Sequence, residues 1–234
     1  MNKKNNMDIN KLEKIIGFKF KDKELLKKSL THRSFLNENK DEDLKNNERL
    51  EFLGDAVLEL IISEYLFHNF PERAEGELTS FRAAVVRTEN LAKVSKKLGI
   101  GQHLLMSKGE EMTGGREKEY LLANTFEALV GAMYLDQGYE AVKKFLIENL
   151  TPQIATIVKY RLDIDAKTKL QETTQTLFKA TPVYKVIKEK GPDHDKIFTV
   201  TVMINRKVYG QGEGITKQKA EDAAASQALR KLES

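Results

Sequence analysis

The apolar residues of this 234-residue chain keep helical spacing up to about Tyr160 and change pattern from Asp165, where one helix is followed by alternating runs, and that change limits the fold to two differently built parts. Before it they recur at helical spacing. Leu25, Leu26, Ser29 and Leu30 open one amphipathic segment; Leu50, Leu53, Val57, Leu58, Ile61 and Ile62 form a longer one; Leu122, Phe126, Leu129, Val130 and Met133 repeat the pattern. After it, a helix carrying Leu170, Thr173, Thr174, Leu177 and Phe178 gives way to strict alternation. Phe198, Val200, Val202 and Ile204 fall on one face of the longest run, and Thr199, Thr201 and Met203 on the other. Turn residues at Gly191-Pro192-Asp193 and Asn205-Arg206-Lys207 divide about Val183 to Gly212 into three antiparallel strands. Ala220, Ala224, Ala228 and Leu232 then mark a last helix from Thr216, whose small residues let it lie close on a sheet. The expected architecture is an all-α domain over residues 8–161 and a small α+β domain of order α-β-β-β-α over 165–234. Two loops are expected in the helical part, Asn37 to Asn47 and Ser107 to Glu119, the second broken by Thr113-Gly114-Gly115.

Composition narrows the chemistry. The chain has no cysteine, which excludes disulfides, thiolate nucleophiles and cysteine-ligated zinc, so any site must use oxygen and nitrogen. No stretch approaches the roughly 20 apolar residues of a membrane span. Met1 to Lys14 lacks the apolar core of a secretion signal, and a cytoplasmic protein is expected. The net charge is +4, and residues 163–234 hold 13 basic and 10 acidic side chains, leaving only +1 for the rest. The last third is therefore the better candidate for contact with polyanions. The four histidines, at 32, 68, 103 and 194, are scattered, with no pair at metal or acid–base spacing; His32 is expected to orient a helix end.

The segment NERLEFLGDAVLEL, Asn47 to Leu60, carries the densest chemistry. Glu48, Glu51 and Asp55 share one helix face, with Leu53, Ala56, Val57 and Leu60 opposite. Three acids on one stripe with no Lys or Arg at i±4 repel one another unless a cation joins them. A solvated acidic face is one reading. A site for a hard divalent ion, Mg²⁺ or Mn²⁺, is the other. A second segment, LLANTFEALVGAMYLDQG, places Asn124 and Glu127 at i, i+3 on another apolar helix, and Gly131 suits close packing. Oxygen-rich pairs on two neighbouring helices are what metal-assisted phosphoryl chemistry requires.

These segments, with GFKFKDKELLKKSLTHRS upstream and EGELTSFRAAVVRTENLA and KGEEMTGGREKEYLLANTFEALVGAMYLDQG downstream, resemble the bacterial ribonuclease III family from about Leu12 to the C-terminus. The resemblance implies that Glu51, Asp55 and Glu127 are metal-binding carboxylates and that Glu48 is an auxiliary acid near the scissile strand. Glu48, Asp55 and Glu127 are the expected catalytic residues, and Glu51, Asp55, Asn124 and Glu127 the expected metal ligands. Asn124 stands where many members have Asp: either a tolerated variant whose amide oxygen still ligates, or a weakening substitution that leaves a binding protein. Phe52, beside the acids, is either an ordinary buried aromatic or, by resemblance, a dimer-interface residue.

The last helix opens with Thr216 as N-cap and Lys217, Gln218 and Lys219 in its first turn, where cations oppose the helix dipole. A phosphate partner would account for them. With DAKTKLQE at Asp165 to Glu172, GPDH at Gly191 to His194 and TKQKAEDAAA at Thr216 to Ala225, the region resembles double-stranded-RNA-binding domains. By that resemblance Gln171 and Glu172 meet one minor groove, His194 the next, and Lys217 and Lys219 the phosphates between. Gln218 departs from the Lys common there. The whole resemblance implies a Mg²⁺-dependent, homodimeric endonuclease that cuts double-stranded RNA, such as ribosomal-RNA precursors and stem-loops. It leaves 5′-phosphate ends and short 3′ overhangs and has no small-molecule substrate and no membrane partner.

Overall fold

A computed structural model describes residues 9–40, 44–192 and 196–233, and the chain divides into two units, Met1–Asp163 and Ile164–Ser234. The first is helical: α1 (Ile9–Ile16), α2 (Lys23–Ser29), α3 (Arg33–Glu38), α4 (Glu48–Asn69), α5 (Glu75–Val86), α6 (Thr88–Lys97), α7 (Lys108–Met112), α8 (Glu119–Gln137) and α9 (Tyr139–Tyr160), with 3₁₀ turns at Ile100–His103 and Gly115–Glu117. The apolar row of α8 lies at its centre, with Phe126, Leu129, Val130 and Met133 fully buried against Leu58, Ile61 and Ile62 of α4 and residues of the surrounding helices. Gly54 and Gly131 set how closely α4 and α8 approach. A methyl group at Gly54 would fall on the Glu127 carbonyl oxygen, and one at Gly131 on that of Leu50, so only glycine permits this contact.

Two expectations about this unit need correction. The face of α4 opposite the acids is buried at Val57 but exposed at Ala56 and Leu60, because the buried stripe of α4 runs through Val57, Leu58, Ile61 and Ile62 and leaves Ala56 and Leu60 on an apolar ridge beside it. The segment from Ser107 to Glu119 is not an open loop. Ser107 Oγ accepts from the Glu110 amide and starts α7, and Arg116 Nη1 donates to the carbonyls of Gly101, Gln102 and Leu104. Lys118 Nζ closes the segment on Glu110 at 2.6 Å. Ser107 and Glu110 stand at the spacing of a capping box, the local signal for this helix.

The second unit runs α10 (Ala166–Phe178), β1 (Val183–Lys190), β2 (Ile197–Ile204), β3 (Lys207–Gly214) and α11 (Lys217–Glu233), with an antiparallel sheet of order β1-β2-β3. Asn205 and Arg206, both at positive φ, make the two-residue turn between β2 and β3. Val200, Val202 and Ile204 face the helices and are buried. Gly210, Gly212 and Gly214 of β3 lie against Ala220, Ala224 and Ala228 of α11, and a Cβ on any of the three would collide with that helix. The sheet's other face is less open than strict alternation implies, since Thr199 and Thr201 of the central strand are buried, Thr199 donating to Glu213 at 3.1 Å.

Candidate active site and RNA-binding face

Because glycine brings α4 and α8 into backbone contact, side chains one turn along each helix are forced together. Glu51 is half-buried, lies within electrostatic reach of Glu48 and Asp55, and is hydrogen-bonded by the Asn124 side chain. Burial, reinforced by the negative charge of Glu48, raises the Glu51 carboxyl above the ordinary carboxylate range, and the Asn124 hydrogen bond works against this. Glu127 shows the larger effect. Burial first, then the charges of Asp55 and Glu51, push its carboxyl up to about 8.

Glu51 thus lies within reach of Asn124 and Asp55, and Glu127 within electrostatic reach of Asp55 and Glu51. Glu48 sits at the exposed start of α4, where Asn46 Nδ2 donates to it at 3.1 Å and Arg33 of α3 lies 3.8 Å away. This is the cation that helix spacing alone did not supply. Phe52 is 81 % exposed, which rules out the ordinary buried aromatic. With Leu60 and Phe67 it forms the ridge of α4. Between that ridge and α5 runs a groove of about 430 Å³ lined by Leu60, Ser63, Phe67, Leu78 and Arg82.

Among the described residues no three of His, Asp and Glu converge tightly enough to cage an ion by themselves. The donor set still fits a hard divalent cation. Mg²⁺ is ordinarily held by one or two carboxylates and keeps its remaining positions for water and substrate phosphate. A half-buried acid that feels the charge of two other acids also gains stability from a bound cation. His32 has the helix-end role expected of it: it caps α3, its Nδ1 accepting from the Ser34 amide at 3.3 Å and lying 2.8 Å from Ser34 Oγ. Burial lowers its pKa, with Arg33 and Lys118 adding to the effect against Glu110 and Glu48.

In the second unit Asp165 caps α10 by accepting from the Thr168 amide and hydroxyl at 2.9 Å, and Lys167 ties α10 to α11 through Glu221 at 2.6 Å. Gln171 and Glu172 are exposed on α10. Thr216 Oγ1 accepts from the Lys219 amide at 3.1 Å, the expected N-cap of α11. Lys217 lies 3.7 Å from Glu189 and over the Phe198 ring, so its charge is partly engaged. Lys219 is exposed, with no side-chain partner among the described residues. Gln218 and Gln171 line one polar groove of about 270 Å³ with Thr168 and Tyr184. His194 lies outside the described residues.

A helical unit with a carboxylate cluster, followed by an α-β-β-β-α unit with polar side chains on α10 and at the start of α11, defines a nuclease joined to a nucleic-acid-binding module. Comparison with known proteins makes this specific. Residues 22–154 match the model of the Ribonuclease-III-like family, and residues 166–232 that of the double-stranded RNA binding motif. The chain is similar to Ribonuclease 3 of Desulforamulus reducens, at 49 % identity over 96 % of this chain and 91 % of the relative. Against Ribonuclease 3 of Clostridium perfringens the identity is 44 % over 96 % and 95 %. The nuclease domain of Ribonuclease III from Campylobacter jejuni, in a structure concerned with flexibility of a region involved in dimer formation, shares 45 % identity at a TM-score of 0.58. That match covers 62 % of this chain and 97 % of the solved one. The chain belongs to the ribonuclease III family, which makes it an endoribonuclease carrying a double-stranded-RNA-binding module. No described helix is long and apolar enough to cross a membrane.

Proposed function

We propose that this chain is a Mg²⁺-dependent endoribonuclease whose nuclease domain, residues 8–161, hydrolyses phosphodiester bonds of RNA duplexes gripped by the module at 165–234. One observation carries the reading: the glycine contact between α4 and α8 sets the half-buried Glu127 carboxyl beside Asp55 and Glu51, an all-acid surrounding that raises it to about 8 and that a divalent cation would neutralise. Glu51, Asp55 and Glu127 would hold Mg²⁺, or Mn²⁺ in its place. Asn124 would contribute Oδ1 while its amide N–H holds Glu51. When bound, the ion activates water and stabilises the departing oxygen.

The chain's own groups do the rest. Glu48, at the rim beside Arg33, faces the incoming strand, and Glu51 is kept in place by Asn124. Attack of water on phosphorus with departure of the 3′-oxygen leaves a 5′-phosphate and a 3′-hydroxyl. Gln171, Glu172 and His194 would meet 2′-hydroxyls and Lys219 the phosphates, with Lys217 reaching them once released from Glu189. We further read the ridge of Phe52, Leu60 and Phe67 as the homodimer interface, since an isolated chain leaves these side chains in water. Two sites in one dimer would cut opposite strands and leave 3′ overhangs. Ribosomal-RNA precursors and stem-loops in the cytoplasm, where such duplexes arise, are the expected substrates.

The test is a long RNA duplex incubated with the chain in Mg²⁺ or in EDTA. Fragments with 5′-phosphates should form only with Mg²⁺ and disappear with Glu127→Gln while duplex binding persists. Binding without any Mg²⁺-dependent fragments would instead support a weakened, binding-only protein, which nothing in the site or the relatives favours.

A further inference from the structure

On the face of the sheet away from α10 and α11, three lysines stand in one row along the edge strand β1. The pairing of β1 with β2 fixes their direction: Lys185 is opposite Thr201, Lys188 opposite Thr199 and Lys190 opposite Ile197. Directly opposed residues of an antiparallel pair share a face, and Val200, Val202 and Ile204 of β2 point to the helices. Thr201, Thr199 and Ile197, and with them the three lysines, therefore point outward. Simple alternation would not produce this, since positions 185 and 188 have opposite parity. A bulge between Val186 and Lys188, with Ile187 unpaired, turns Lys188 and Lys190 outward and sends Glu189 to the helix side, where it meets Lys217 at 3.7 Å.

All three lysines are exposed, and among the described residues none has an ion pair or side-chain hydrogen bond. The one acid paired across the sheet from this row, Glu213 of β3, is hydrogen-bonded to Thr199 at 3.1 Å. Successive lysines advance by two partner residues, roughly 7 Å, a step close to the phosphate-to-phosphate distance of an extended nucleic-acid strand.

We propose that the row Lys185, Lys188 and Lys190 is a phosphate track for single-stranded RNA, the unpaired flank of a duplex engaged on the helix side of the same unit. The occupant follows from charge and shape. One file of ammonium groups, without ion-pair partners among the described residues, complements one extended phosphodiester strand, whereas a duplex presents two strands across a groove and is met by loops and helix ends. The face carries no aromatic ring at these positions to stack a base, so the contact is sequence-independent and salt-sensitive. Lysines and a bulge also protect an edge strand from pairing with another chain, but that role is indifferent to which face the lysines occupy.

The inference adds to the duplex-binding reading, and the experiment separates the two. Fluorescence anisotropy in EDTA compares the full chain on a blunt RNA duplex and on the same duplex with a 12-nucleotide oligouridine tail. The wild type should bind the tailed RNA roughly fivefold tighter at low salt, with a salt slope steeper by about 2, as expected for three contacts to a single strand. Lys185→Gln/Lys188→Gln/Lys190→Gln should lose that gain and keep the blunt-duplex affinity, while the corresponding triple arginine variant should retain it. Absence of a tail effect in the wild type overturns the proposal. So does a tail effect that survives in the glutamine variant, or an equal loss on blunt and tailed RNA. Failure of the wild type to bind blunt duplex, with the tail still bound through the lysines, would sink the duplex reading and leave the track standing.

Discussion

Glu127 illustrates how the surroundings of a single side chain set its proton affinity. Its raised pKa means that the folded, metal-free protein holds a proton which the unfolded chain releases near the ordinary carboxylate value. Stability from this group is complete below that value and is lost as pH rises through about 8. Measured in EDTA, Glu127→Gln should be more stable than the wild type at about pH 9 by on the order of 2 kcal/mol, and the difference should vanish near pH 5. Mg²⁺ should restore the wild type alone at high pH; equal melting curves for both proteins at every pH would refute the burial argument. Asn124 acts on the same cluster from the other side, donating to Glu51 as aspartate could not. Asn124→Asp should lower the Mg²⁺ concentration needed for cleavage and lower the metal-free melting temperature by roughly 3 °C. An unchanged Mg²⁺ requirement would remove Asn124 from the ligand set.

At the scale of the element, the site exists because two helices touch. Gly54→Ala pushes a methyl group into the Glu127 carbonyl and should cost about 3 kcal/mol or more, read as a fall in denaturant midpoint together with lost Mg²⁺ binding. Gly76→Ala, in a helix with open space around it, should be neutral or stabilising by up to about 0.5 kcal/mol. Equal effects at both glycines would mean that backbone contact is not what sets the α4–α8 distance. The pairing of these helices was partly legible: Glu51 and Asp55 on one face and Asn124 and Glu127 on another follow from a period of 3.6, and Gly131 hinted at close packing. That Gly54 is its counterpart was not visible, because nothing local distinguishes a contact glycine from a flexible one. The alternating glycines of β3 carried a fuller signal, since every second residue from 210 to 214 is glycine, opposite an alanine row. In β1 the period failed at a bulge, which depends on the partner strand.

For the molecule as a whole, the exposed ridge of α4 predicts association. Phe52→Ala should shift the chain from dimer to monomer in sedimentation while leaving its circular dichroism unchanged, because the ring makes little contact within one chain. A dimer of undiminished stability would move the interface elsewhere. The sequence by itself determined the two-part architecture, the absence of thiol chemistry and the residues that bear charge, because periodicity and composition are properties of the chain. Tertiary structure alone decided that burial between α4 and α8 raises the Glu127 carboxyl, that Phe52 lies in the open, that Arg33 reaches Glu48 and that three lysines of β1 share one face. Each of these depends on distances and pairings between residues far apart in the chain, and local spacing carries no information about them.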